Sequence, residues 1–132
     1  MSTSPTTATR SNLLLLPDTV AEANGSGPAF ELGPLAGKLV MLVLRIADII
    51  EQEALHVSIW GSKDGTNWGD KVLFWFPEKF YEGVTPAALD LGQVADIKFL
   101  QARWEVNRWG RGYPMPHFKF RVEIQELAPP GP

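Results

Sequence analysis

Apolar and polar residues alternate one for one over several stretches of this chain, and that period belongs to strands. Residues 118–125 are the clearest case: Phe118, Phe120, Val122 and Ile124 share one face, and Lys119, Arg121, Glu123 and Gln125 share the other. Residues 54–60 repeat the pattern, with Leu55, Val57 and Ile59 against His56, Ser58 and Trp60. Residues 97–106 set Leu100, Ala102, Trp104 and Val106 against Gln101, Arg103 and Glu105. Residues 38–46 differ, because Val40, Leu42, Leu44 and Ile46 face one way while Leu39, Met41 and Val43 make the other face apolar too. That pattern fits a strand covered on both sides, or one with a face in an interface. A helix is the rival there, and the β-branched residues and Gly37 favour the strand.

Shorter strands are expected over residues 11–16, stopped by Pro17, and over 19–23, ended by the turn cluster at 24–28. Others are expected over 29–32, over 72–76 before Pro77, and over 87–91. Residues 48–53 fit one helical turn or a polar loop. Short strands separated by turn signals make an all-β fold, a two-sheet antiparallel sandwich of jelly-roll type. Its expected core is Val40, Leu42, Leu44, Leu55, Val57, Ile59, Leu100, Trp104, Phe118, Phe120, Val122 and Ile124. Residues 12–127 form the one domain of this reading, between a flexible arm at 1–11 and a Pro-rich tail at 128–132.

Length and composition agree. At 132 residues the chain suits one domain, and it buries enough surface for a core without staples. There is no cysteine, which removes disulfides, thiolate metal sites and cysteine nucleophiles. A formal net charge of -3 argues against bulk attraction to nucleic acid or to an anionic membrane. No secretory signal and no run near the ~20 apolar residues of a membrane span are visible. Cytoplasmic synthesis, or a place in an assembled particle, is the expectation. Charge is unevenly distributed: Lys98, Arg103, Arg108, Arg111, Lys119 and Arg121 face only Glu105 between positions 98 and 121. Such a split would steer head-to-tail association if it persisted in space; solvated strand faces are the plainer account.

The sharpest local motif is Ser62-Lys63-Asp64-Gly65-Thr66-Asn67-Trp68. Asp64-Gly65 carries the chemistry of a tight positive-φ turn, and the Ser62 and Asp64 side chains can hold nearby backbone N–H groups. Trp68 is placed to fold back over the hairpin. The S-x-D-G-x-x-W pattern after an alternating strand resembles that of discoidin-like sandwiches and of small β-sandwich proteins of phage virions and tails. The resemblance extends over residues 38–126, with Arg103 between apolar positions in a later strand. It implies a sandwich fold and no particular ligand.

Two aromatic concentrations are candidate contact surfaces. Arg108, Trp109, Arg111 and Tyr113 lie in a Gly- and Pro-rich segment between strands, a mixture typical of binding hot spots; a hairpin with Trp109 capping the sandwich is the structural alternative. Within 74–76, Phe74 and Phe76 point one way and Trp75 the other, so one set must face a second layer, a ligand or a partner. Catalytic readings find little. His56 and His117 have no ligand-spaced partner, and no phosphate loop or nucleophile elbow is present. Asp48, Glu51 and Glu53, or Asp64 with Asp70, are acid groupings of the sort that arise by chance. The expectation is a non-enzymatic protein with no cofactor that assembles with itself into an oligomer or particle. The alternative is a carbohydrate-binding module with Trp60, Trp75, Trp109 and Tyr113 as its platform.

Overall fold

The computed structural model describes residues 13–49, 53–69, 72–108 and 117–127. The expected arm and tail lie outside these residues. The strands are β1 (Leu13–Ala21), β2 (Gly25–Ser26), β3 (Phe30–Glu31), β4 (Leu39–Ile49) and β5 (Glu53–Ser62). They continue with β6 (Phe74–Trp75), β7 (Gly83–Asp90), β8 (Phe99–Arg108) and β9 (Phe118–Glu126). Two antiparallel sheets result. Sheet one has the order β1-β9-β4-β7, and sheet two the order β2-β8-β5-β6 with β3 also on β8. With β2 and β3 counted as one interrupted strand, the path changes sheet at every connection except β5 to β6. That is the strand order of a jelly roll.

The core sits between the sheets. Inward residues of β4, β5, β8 and β9 are buried as the alternation predicts, joined by Leu15, Leu16, Leu32, Leu91 and Phe76. Trp104 is the exception among the expected core residues. It is half-buried at the rim, edge-on to Phe120 at 5.5 Å, with its Nε1 donating to the Ala23 carbonyl at 3.1 Å. A buried indole needs a partner for its N–H, and here the rim supplies one.

Several boundaries differ from the sequence expectation. Pro17 does not stop the first strand: β1 runs through it, with register shifts against β9 between Leu14 and Leu16 and between Leu16 and Thr19. β1 is an edge strand, where the missing N–H is tolerated, and the slip lets the consecutive Leu15 and Leu16 both turn inward. Residues 48–53 hold no helical turn in their described part. Asp48 and Ile49 continue β4, and Glu53 opens β5 opposite Arg108. Glu53 is buried and accepts a hydrogen bond from the His117 backbone N–H at 2.7 Å. The strand expected over 72–76 shrinks to two residues, although Leu73 and Phe76 still donate to the Ile59 and Val57 carbonyls of β5. The turn cluster at 24–28 contains β2. The outer apolar face of β4 is partly covered: Leu39 is exposed, while Val43, opposite Glu123 and Pro86, is buried.

Candidate functional site

The outer face of sheet two follows from the alternation of β5 and β8. Val57 and Ile59 point into the core, so His56, Ser58 and Trp60 point out. The register sets His56 against Glu105, Ser58 against Arg103, and Trp60 against Gln101. On one side β6 adds Trp75 opposite Ser58; on the other β2 adds Ser26 opposite Arg103. One row therefore crosses four adjacent strands: Trp75, Ser58, Arg103, Ser26. Trp60 and Gln101 flank it on one side, His56 and Glu105 on the other.

These side chains hold one another in place. The Arg103 guanidinium lies over the Trp60 ring, 4.1 Å from its centroid, and its Nε donates to Gln101 Oε1 at 2.8 Å. Gln101 is fixed in turn, with its Nε2 donating to the Gly27 carbonyl at 2.9 Å. Trp60 Nε1 donates to Ser58 Oγ at 3.0 Å. Trp75 stacks on His56 with ring centroids 4.2 Å apart and planes tilted by 34°, yet stays 42% exposed. One indole face is therefore packed and the other open. Ser58, Trp60, Trp75, Arg103 and Glu105 line a groove of about 480 Å³, with Trp104 and residues 24–26 at its β2 end; His56 and Gln101 lie outside the lining and hold Trp75 and Arg103 in place. A planar cation and an indole face already fixed by packing are suited to bind a polar ligand at low ordering cost.

The Ser62–Trp68 motif stands elsewhere and builds a turn. Ser62 Oγ accepts from the Asp64 and Gly65 N–H groups at 3.2 and 2.9 Å, and Asp64 Oδ1 accepts from those of Thr66 and Asn67, both at 2.9 Å. The Asn67 and Thr66 N–H bonds, with the Ser62 hydroxyl, hold the Asp64 carboxyl well below the usual carboxylate range. Gly65 has φ 83°, as expected, but the turn is no two-residue hairpin, because the next strand begins only at Phe74. Phe99 rather than Trp68 lies against Gly65, and Trp68 is half-buried.

Of the candidate contact residues, Trp75 is in the groove. Trp109, Arg111 and Tyr113 lie outside the described residues, as does the side chain of Arg108, which ends β8. The charge separation along the sequence disperses in space. Arg103 goes to the outer face of sheet two and Arg121 to that of sheet one. There Glu123, only 6% exposed, accepts from Arg45 Nε at 2.7 Å and Arg121 Nε at 2.8 Å, and Asp18 lies 3.5 Å from Arg121. Among the described residues no three His, Asp or Glu side chains are grouped to hold a metal ion, and no helix is long and apolar enough to cross a membrane. No family model matches the chain, and no curated protein matches it.

Proposed function

We propose that this chain is a non-catalytic carbohydrate-binding module and that the groove on the outer face of sheet two is its binding surface. The observation that carries the reading is the row Trp75–Ser58–Arg103–Ser26. It joins an open indole face, suited to the apolar face of a sugar ring, to the fixed Arg103 guanidinium and the exposed Ser26 hydroxyl, suited to sugar hydroxyl groups, over a buried Ser58 that anchors Trp60. The expected Trp109 and Tyr113 are not needed for it. Binding to a panel of immobilised polysaccharides tests the proposal. The wild-type chain is expected to be retained by at least one of them, and Trp75→Ala to lose that retention while its circular dichroism is unchanged. Equal retention of wild type and variant would remove the groove from the function.

Assembly with further copies of the same chain is a second reading, favoured by one feature of sheet one. Its outer face leaves Leu39 and Leu14 43% and 46% exposed and Val84 55% exposed, beside Val43 and Pro86. Apolar side chains left exposed on an outer sheet face are a surface that another subunit can cover.

A further inference from the structure

Resting on the proposed carbohydrate-binding role, we infer that the groove takes an internal run of a neutral saccharide chain, laid across the strands, rather than a single terminal sugar. The groove's length comes first. Trp75, Ser58, Arg103 and Ser26 stand directly opposite one another on β6, β5, β8 and β2. Three inter-strand steps of about 4.8 Å carry the row over ~14 Å, the reach of several linked pyranose rings rather than of one. Both ends of the row are sheet edges, and each edge strand there is only two residues long. The groove's lining comes from these four strands and from Asn24, just before β2, and among the described residues no other segment lines either end. A chain can therefore enter at one edge and leave at the other.

The chemistry along the row is graded. Trp75, at the β6 end, offers the open ring face, with its other face already packed on His56. Towards the middle, Arg103 has its Nε committed to Gln101 and its plane on Trp60. Among the described residues its two terminal nitrogens have no protein partner, so they remain as donors for ring hydroxyls. Glu105 lies two residues further along the same face of β8 and also lines the groove. The two charges offset each other, which favours a neutral polyol over a carboxylated or sulfated chain. One stacking position followed by hydrogen-bonding positions gives a site in which the first ring anchors and the next ones add affinity.

The experiment is a titration ladder on the full chain by isothermal calorimetry. The probes are glucose and xylose, then cello-, malto- and xylo-oligosaccharides from disaccharide to hexasaccharide, with oligogalacturonides as the acidic counterpart. Affinity for one neutral series is expected to rise about tenfold or more between monosaccharide and trisaccharide and then level off. Ser26→Phe, at the far end of the row, should remove most of that gain, with unchanged circular dichroism showing that the variant is folded. If a monosaccharide binds as tightly as the trisaccharide, or if the acidic series binds better than every neutral one, this inference is overturned and the binding role stands. If no member of any series binds at millimolar concentration, both fall together.

Discussion

Gly65 shows how much one residue can settle in this chain. Its φ of 83° lies in the left-handed region, and a Cβ placed there would meet the Phe99 ring at 3.3 Å. Both terms act against any larger side chain, and a β-branched one meets them most severely. The surrounding hydrogen bonds to Ser62 Oγ and Asp64 Oδ1 fix the turn, so the backbone has no easy route to relax. Gly65→Val is therefore expected to cost on the order of 1–3 kcal/mol, read as a lower denaturant midpoint at unchanged slope. An unchanged midpoint would mean that the turn carries no strain. The groove is expected to survive the substitution, because none of its residues lies in this turn.

Strand β9 shows why some elements are readable from sequence and others are not. It lies between β1 and β4, with one face on the core and the other on solvent, so its alternation is complete. β5 and β8 are legible for the same reason. β1 is not, because a bulged edge strand carries Pro17 and breaks the period with Leu15 and Leu16 both inward. β6 is not either: only two residues keep strand geometry, and its pairing continues through isolated backbone bonds from Leu73 to Lys79. The groove was half legible. Trp60 and Trp75 stand out by residue type, but their meeting with Arg103, Ser58 and Ser26 depends on the registers of β5, β6, β8 and β2, and long connections hide register from the sequence. Within β9, Phe120 contacts Trp104 across the sandwich and is buried. Phe120→Ala is expected to destabilise by about 3–5 kcal/mol and to red-shift tryptophan emission as the Trp104 ring gains water. A loss below about 1 kcal/mol would mean that the two sheets close over the gap.

On the scale of the whole molecule, the two outer faces differ in kind, and that difference sets the terms for assembly. Sheet two presents polar and aromatic groups already bonded to one another. Sheet one presents exposed apolar side chains at its two edges, Leu14 and Pro86 at the ends of one register row and Val84 at the end of the next, around a central cluster of Glu123, Arg45 and Arg121. The Arg45 and Arg121 side chains of that face are held by Glu123 and Asp18. Burial of the exposed Leu14, Leu39, Val84 and Pro86 would favour a face-to-face contact, the same patch on both subunits, which closes as a two-fold dimer. Light scattering after size exclusion at micromolar concentration is expected to give a mass above that of one chain. Val84→Lys places an unpaired charge on the β7 edge of such a contact, and it should return the mass to that of a monomer without altering the circular dichroism. Trp75→Ala should leave the mass unchanged, since its side chain belongs to the opposite sheet. A monomeric wild type would end the assembly reading and leave the groove as the functional surface. An oligomer insensitive to Val84→Lys but broken by Trp75→Ala would assign the groove itself to subunit contact, because a ring buried against another copy cannot also receive a sugar.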